Sequence, residues 1–357
     1  MKILILQPKM IGDVLTSSIL FEILRKEFPD ADLHYAINKN TLAVVEGNPF
    51  IDEFIILDTD FNGKKSNLVN NIRRVRKNKY DVIIDAYGKL STNFITLFSS
   101  CPITISKFKW YTSFIYKYPI TYYDIPKTNA GLAIENRLQL LEPMNFGLIS
   151  KVKPKIYLSA ADREQALQQL NEHNIDLNKP LFMISAMGSN DIKSYPLDYM
   201  SQILDLVADR IECNMLLNYI PDQQPLMTIL VSKCKESTRD RIKVDLYGKS
   251  LRNFIALTSY CTALIGNEGG AVNMAKAIDV PTFTIFSPWI MKDDWNIFED
   301  HKNVSVHLKD YKPKLFANQD GKAIKKSALQ LYKLFEPHYF EDQLKRFLKQ
   351  FKNHQDA

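Results

Sequence analysis

Residues 264–277 read LIGNEGGAVNMAKA, and residues 280–288 read VPTFTIFSP. An apolar strand runs into a pair of glycines, a helix of small residues follows, and a second β-branched strand comes next. Gly269 and Gly270 leave the start of this helix open, so that its N–H groups and its dipole can receive a phosphate. The alternative is a turn whose glycines only allow the helix to pack on the sheet. The stretch predicts a strand-helix-strand unit with a candidate phosphate site.

The same alternation of apolar runs and amphipathic stretches continues in both directions along the chain, which predicts a parallel α/β architecture. The chain has 357 residues, more than the roughly 250 to 300 at which one hydrophobic core stops growing, so two domains are expected. Residues 147–155 mix Gly, Pro and Lys without a clear period and mark the boundary. We expect strands at residues 2–7, 32–37, 54–57, 81–85, 181–185, 214–218, 263–265 and 282–286, and helices near residues 13–28, 197–210, 223–235 and 271–278.

The composition is that of an ordinary globular protein, with 46% hydrophobic and 24% charged residues. No apolar run approaches the roughly 18 residues of a membrane span. The four cysteines are widely spaced and the six histidines show no metal-ligand spacing, so neither a disulfide framework nor a metal site is predicted. A reducing cytosol fits this cysteine usage best.

The segment after the first strand, residues 7–15, reads QPKMIGDVL. Gly12 permits a tight turn, and Asp13 falls at the start of the following helix, where the strand's carboxyl end faces a ligand cleft. Asp13 is either a helix N-cap or a general base.

Residues 185–196 read SAMGSNDIKSYP and follow the first strand of the second half. Small residues such as Ser189 let backbone amides approach an anion, and Lys193 supplies a positive point charge where a diphosphate could sit. An ordinary polar loop closed by Pro196 is the alternative.

A third segment is both basic and aromatic. Residues 86–123 contain Lys89, Lys107, Lys109 and Lys117 and no acidic residue. Lysines interleaved with aromatic rings suit sugar rings, membrane interfaces or single-stranded nucleic acid, while a buried hairpin or helix edge is the alternative. Within this segment, residues 106–123 hold eight aromatic residues, Phe108, Trp110, Tyr111, Phe114, Tyr116, Tyr118, Tyr122 and Tyr123.

Taken together, the chain resembles the family 9 glycosyltransferases, the group that contains the ADP-heptose:lipopolysaccharide heptosyltransferases. The resemblance covers about the first 290 residues. It rests on KILILQPKMIGDVLTSSILFEILRKEFPDADLHYAI at 2–37, YDVIIDAYGKLST at 80–92, MGSNDIKSYP at 187–196 and IGNEGGAVNMAKAIDVPTFTIFSP at 265–288.

The resemblance implies a GT-B fold, in which two Rossmann-like parallel-sheet domains face each other across a cleft. It implies that residues 1–150 bind the acceptor, that residues 151–321 bind a nucleotide sugar, and that the mechanism is inverting and uses neither metal nor cofactor. Asp13 matches the family's catalytic base. The expected donor-binding residues are Ser189, Lys193, Glu268, Gly269, Gly270 and Asn273, and the expected acceptor-binding residues are Gly12, Lys89, Lys107 and Lys109.

Three positions depart from the family pattern. Glu268 stands where the family commonly has Asp, Gly269 where it has Ser or Thr, and Asn273 where it has His. Glu268 has a longer carboxylate side chain than Asp, and Asn273 lacks the titratable ring of His. We expect both differences to affect which donor sugar is used.

The predicted function is transfer of a heptose-like sugar from an ADP-heptose-like donor to a lipopolysaccharide-type or other lipid-linked surface glycan. Two alternatives stay open: a sugar-nucleotide epimerase on the same scaffold, and a non-catalytic protein that binds phosphate or nucleic acid. No RNA- or DNA-binding motif is recognisable, so nucleic acid is not an expected partner.

The last residues, 322–357, predict basic helices. From Tyr339 onward, apolar residues recur at helical spacing between lysines and arginines. We expect this apolar stripe to pack back on the N-terminal domain with its charges exposed. We also expect salt-sensitive, peripheral association with anionic lipid at the inner face of the cytoplasmic membrane.

Overall fold

The computed structural model describes residues 1–57, 65–144, 152–317 and 319–352, with the side chains of Lys65 and Ser66 excepted. The chain folds as two compact units, Met1–Tyr157 and Leu158–Ala357. The predicted boundary between residues 150 and 151 lies outside the described residues, and the observed division follows shortly after it.

The first unit is a parallel sheet with helices between its strands. The strands are β1 Lys2–Leu6, β2 Asp32–Ile37, β3 Glu53–Ile56, β4 Val82–Asp85, β5 Ile103–Lys107 and β6 Tyr118–Ile120. The helices are α1 Ile11–Ser17, α2 Ile19–Glu27, α3 Lys65–Asn78, α4 Leu90–Leu97 and α5 Leu132–Leu138. The six strands lie in the order β3-β2-β1-β4-β5-β6. Strand β4 is fully buried and β1 is buried from Ile3 onward; apart from Asp85 at the end of β4, these stretches are continuous apolar runs.

The second unit repeats this plan. Its strands are β7 Leu181–Ser185, β8 Asn214–Leu217, β9 Ile242–Lys243, β10 Ala263–Asn267, β11 Thr282–Ile285 and β12 Asn303–Val306. Its helices are α6 Ala160–Glu172, α7 Leu197–Arg210, α8 Gln224–Lys233, α9 Glu236–Arg239, α10 Leu251–Thr258, α11 Gly270–Ala277, α12 Lys292–Trp295, α13 Leu308–Tyr311, α14 Gly321–Lys326, α15 Ala328–Lys333 and α16 Glu341–Lys349. The six strands lie in the order β12-β11-β10-β7-β8-β9.

Both sheets therefore have one topology. Numbered from its own first strand, each runs 3-2-1-4-5-6, the strand order of the Rossmann fold. The predicted parallel α/β architecture is confirmed. The predicted strands 32–37 and 181–185 and the predicted helix 197–210 have the observed bounds.

The sequence did not predict β5, β6, β9 or β12. Strand β6 contains Pro119, which cannot donate to the sheet, and it lies at the sheet edge where proline is tolerated. Strand β9 has two residues, too few to show a pattern.

The C-terminal helices pack in the second unit. Leu344, Phe347 and Leu348 on the apolar face of α16 are buried. The Phe347 ring lies 5.6 Å from that of Phe283 in β11, and the Phe351 ring lies 6.1 Å from that of Phe182 in β7. The expectation that the apolar stripe from Tyr339 onward packs on the N-terminal domain is therefore wrong, because aromatic side chains of the second sheet cover this face. Among the described residues, no helix is both long and apolar enough to cross a bilayer.

Candidate functional site

Asp13 lies beyond the carboxyl end of β1, the edge of a parallel sheet where ligands bind. It is the third residue of α1, and Met10 occupies the N-cap position. The N-cap interpretation of Asp13 is therefore wrong. Gly12 lies inside the first turn of α1 with a negative φ, so it does not form the tight turn that the sequence suggested.

The partner of Asp13 is Arg137 in α5. The guanidinium donates through Nη2 to Asp13 Oδ1, through Nε to Ser17 Oγ at 2.8 Å, and through Nη1 to the carbonyl oxygen of Ala133 at 2.6 Å. The Asp13 side chain keeps 22% of its surface exposed, against 11% for Arg137. The pair thus holds a carboxylate in one orientation while leaving part of it open to a ligand. Arg137 was not found from the sequence, since no local pattern marks it.

Next to this pair, Asp85 ends β4 and is fully buried. It accepts hydrogen bonds from Tyr116 Oη at 2.6 Å and from the backbone N–H groups of Gly88 and Tyr87 at 2.7 and 3.1 Å. Burial raises the pKa of the Asp85 carboxyl, while these donors oppose the shift. Gly88 has a φ of +53°, which a glycine tolerates. Asp85 fixes the turn that leads to Lys89.

The predicted acceptor-binding lysines converge on this turn. Lys89 takes the N-cap position of α4, Lys109 donates to the carbonyl oxygen of Gly88, and Lys107 lies at the end of β5. Burial lowers the pKa of Lys109, and the positive charges of Lys89 and Lys107 lower it further. Lys89 and Lys107, which are separated in sequence, are therefore each close enough to Lys109 to act on its charge.

Tyr122 is close both to Lys107 and to the Asp13–Arg137 pair. Its ring lies 4.9 Å from Lys107 Nζ. Burial raises the pKa of Tyr122 to about 12; Arg137 opposes the shift, and Asp85 and Asp13 add to it. Since all these charges act on one phenol, the structure places Asp13 and the lysines in one region of the first unit. Sequence reasoning placed Tyr122 in the aromatic segment and assigned it no specific role.

In the second unit, Asn267 at the end of β10 ties two candidate segments together. Its Oδ1 accepts from the Tyr195 N–H at 2.7 Å, and its Nδ2 donates to the carbonyl oxygens of Ser185 and Ala186 at 2.9 and 2.8 Å. A Cβ at Gly266 would lie 2.3 Å from the Ser185 oxygen, so only glycine fits there. The loop after β7 and the turn after β10 are thus held side by side.

Glu268 and Lys193 face each other across this junction. Lys193 Nζ lies 3.9 Å from Glu268 Oε1, and the Glu268 side chain is only 8% exposed. Burial raises the pKa of Glu268, and Lys193 partly opposes the shift. Among the described residues, Glu268 Oε1 accepts no hydrogen bond. An oxygen of this kind is well suited to accept a hydrogen bond from a ligand hydroxyl.

The glycine turn begins α11 as predicted. Gly269 is its N-cap, with a φ of +143°, and Gly270 is its first residue. A Cβ at Gly269 would meet no neighbour within 4 Å, so the space beside it is open. Asn273 is half-buried one turn into the helix, and Ser189 is exposed on the neighbouring loop. Lys193, Glu268 and the start of α11 are thus brought together, with Ser189 at the rim.

No group of three or more His, Cys, Asp and Glu side chains that could hold a metal ion occurs in the part of the chain that the structure describes.

Comparison with known proteins gives a consistent result. Residues 69–318 match the model of glycosyltransferase family 9 (heptosyltransferase). The chain is 22% identical over 296 residues to lipopolysaccharide heptosyltransferase 1 of Campylobacter coli, covering 80% of this chain and 84% of that protein.

Two solved structures share the fold. The family 9 glycosyl transferase from Veillonella parvula DSM 2008 gives a TM-score of 0.72 at 18% identity, over 93% of this chain and 97% of that one. The Escherichia coli heptosyltransferase WaaC with ADP-2-deoxy-2-fluoro heptose gives a TM-score of 0.65 at 13% identity, over 96% of this chain and 100% of that one. The predicted GT-B fold is confirmed.

Proposed function

The chain belongs to glycosyltransferase family 9, and from this premise we propose that it transfers a heptose-like sugar, with inversion, from a nucleoside diphosphate to a lipopolysaccharide-type or other lipid-linked surface glycan. The names of its relatives support heptose as the sugar and lipopolysaccharide as the acceptor. Family membership favours a transferase over the two alternatives left open by the sequence, an epimerase and a non-catalytic binding protein.

The observation that carries this proposal is the Asp13–Arg137 pair. An acceptor hydroxyl is a weak nucleophile at neutral pH, and a carboxylate that takes its proton contributes about 10² to 10⁴ in rate. Arg137 holds the Asp13 carboxylate in one orientation. Asp85, the neighbouring carboxylate, is buried and already accepts three hydrogen bonds. One available carboxylate suits a single displacement, in which the acceptor oxygen attacks the anomeric carbon as the diphosphate leaves from the opposite face.

On the donor side, Lys193 and the start of α11 would neutralise the charge that grows on the leaving diphosphate. The backbone N–H groups of Gly269 and Gly270 lie at this helix start, with Ser189 at the rim. The Glu268 carboxylate and Asn273 would contact the sugar. We propose that these groups act without a divalent metal and without a cofactor, the nucleotide sugar being a substrate.

On the acceptor side, Lys89, Lys107 and Lys109 would bind phosphates or acidic sugars of the glycan. The position of Lys107 beside Tyr122, whose phenol also senses the Asp13 charge, supports this role, because the anionic part of the acceptor would then lie near the hydroxyl that is activated. Gly12, in the first turn of α1, would let the acceptor approach the backbone.

We further propose that the protein acts at the inner face of the cytoplasmic membrane as a peripheral protein. Support comes from a surface formed by α4 and the segment after β5, where Trp110, Phe114 and Leu90 are 81%, 78% and 63% exposed. Aromatic side chains beside lysines suit the interface of an anionic bilayer. The apolar face of α16, in contrast, is buried and not available to lipid.

The deciding experiment incubates the protein with a panel of nucleotide sugars, with and without lipopolysaccharide acceptor, and follows release of nucleoside diphosphate. Acceptor-dependent release supports transfer, and NMR of the product gives the anomeric configuration. Interconversion of the donor sugar without acceptor would instead support an epimerase. The same assay in EDTA tests whether transfer requires a divalent metal. A loss of activity in EDTA that magnesium restores would contradict metal-free transfer.

A further inference from the structure

The Trp289 indole, which follows β11, is flanked by two lysines. Lys193 Nζ lies 5.4 Å from the ring centroid, and Lys325 Nζ lies 4.7 Å from it. Lys193 comes from the loop after β7, whereas Lys325 comes from α14 near the C-terminus. The family match ends at residue 318, so α14 lies beyond it. A segment outside the matched region thus reaches the candidate donor site.

Buried polar atoms in this region lack partners. Within the described residues, Glu268 Oε1 and Trp289 Nε1 are buried and make no hydrogen bond. The Tyr332 phenol is close to the site: burial raises its pKa, a hydrogen bond with the Ser287 side chain opposes the shift, and the Glu268 charge adds to it. Buried polar groups are almost always satisfied in folded proteins. Two unsatisfied groups beside two lysines indicate a place prepared for a polar ligand.

The charge balance indicates that this ligand is an anion. Glu268 is the ion-pair partner of Lys193. Lys325 has no ion-pair partner among the described residues, and its exposed side chain lies over the indole instead. One carboxylate is therefore set against two ammonium groups, and the excess positive charge is free to bind phosphate.

We propose that Lys325 is a second phosphate-binding residue of the donor site, so that Lys193 and Lys325 each bind one phosphate of the nucleoside diphosphate. This inference rests on the proposed function. Both ammonium groups lie within 5.4 Å of one ring centroid, which brings them within reach of a single diphosphate. The Trp289 N–H and the Tyr332 hydroxyl supply hydrogen bonds to phosphate or sugar oxygens, and Glu268 accepts from a sugar hydroxyl.

The test is isothermal titration calorimetry on the full chain with ADP, UDP, GDP and CDP, followed by the monophosphate of whichever nucleotide binds best. Lys325→Ala is expected to weaken binding of the diphosphate about tenfold, and that of the monophosphate less than about twofold, because the second phosphate loses its partner. Lys193→Ala serves as the reference for loss of a phosphate ligand. Lys325→Arg keeps the charge and should retain most of the affinity.

The matched control is Lys322→Ala, which removes an exposed lysine from the same helix and changes the net charge equally. It should alter neither affinity by more than about twofold. If Lys325→Ala behaves like Lys322→Ala, or weakens monophosphate and diphosphate equally, the proposal is overturned. In either case, the proposed function still stands if the wild-type protein transfers sugar. A wild-type protein that binds no nucleoside diphosphate overturns both.

Discussion

Arg137 donates to the carboxylate of Asp13 from 124 residues further along the chain. The same guanidinium also donates to Ser17, one turn of helix after Asp13. The contact therefore fixes the carboxylate relative to the helix that bears it. In the proposed reaction, Asp13 accepts the proton and Arg137 is a positioning residue.

Asp13→Asn should lower the turnover number by about 10² to 10⁴, because the amide cannot take the proton of the acceptor hydroxyl. Donor affinity should be nearly unchanged, since Asp13 acts on the acceptor and not on the nucleotide. Steady-state kinetics and calorimetry with nucleoside diphosphate measure the two effects. A mutant that keeps more than about a tenth of wild-type turnover would contradict the catalytic role.

Arg137→Ala should lower the turnover number by about 10- to 100-fold, because Asp13 loses its fixed orientation. Arg137→Lys restores the charge but not the fork that reaches both Asp13 and Ser17, so it should recover activity only in part. Arg73→Ala, an exposed arginine of α3, is the matched control and should leave kcat unchanged. A change in acceptor KM alone would indicate that Arg137 binds the acceptor instead.

His307 should make the folded state less stable in mild acid. Burial lowers its pKa below the ordinary value of about 6.5, and the nearby Asp310 carboxylate only partly opposes the shift. Since the unfolded chain then binds this proton more readily than the folded chain does, the contribution to stability is fully present above a pH of about 6.5 and is lost as the pH falls from there through the lowered pKa of the folded state.

In the wild type, the Lys309 N–H donates to His307 Nδ1 at 2.9 Å. His307→Asn keeps a side-chain acceptor for this N–H and removes the titrating imidazole. Urea unfolding between about pH 5 and 7 should therefore show a shallower loss of stability in this variant. His338→Asn, at a side chain that is 58% exposed, is the control and should follow the wild type. An unchanged slope in His307→Asn would refute this assignment.

The double variant Trp110→Ala/Phe114→Ala should bind anionic vesicles less tightly than the wild type, because two exposed aromatic side chains are lost. High salt should weaken binding of the wild type, since the lysines around this surface are screened. Liposome co-sedimentation measures both, with Trp295→Ala in the second unit as the aromatic control. Equal recovery on neutral and anionic vesicles, or binding indifferent to salt, would favour a soluble acceptor.

The fold could be predicted because its signals are local. Strand β7 and the part of β1 from Ile3 onward are buried and mostly apolar runs, and such runs in alternation with helices admit few architectures. The C-terminal helices show the limit of this reasoning. The periodicity of α16 indicates that one face is buried, yet it carries no information about which surface covers that face.

The candidate site divides in the same way. Asp13, Lys193 and the Gly269–Gly270 turn follow strands, so the position of each in the fold identifies it. Arg137 in the first unit and Trp289 in the second each approach their candidate residues only through the tertiary fold of their own unit, and neither lies in a recognisable motif. The approach of Lys107 to Tyr122 likewise depends on where β5 and β6 end.

The three hydrogen bonds of the Asn267 amide bear on how this enzyme could acquire a new donor. They bind only main-chain atoms, those of Ser185, Ala186 and Tyr195. The backbone path of the proposed nucleotide site is therefore set without help from the side chains that would contact the sugar. Glu268 and Asn273 depart from the family pattern. Substitutions at these two positions during evolution can therefore change the sugar preference without altering this backbone or the proposed binding of the diphosphate.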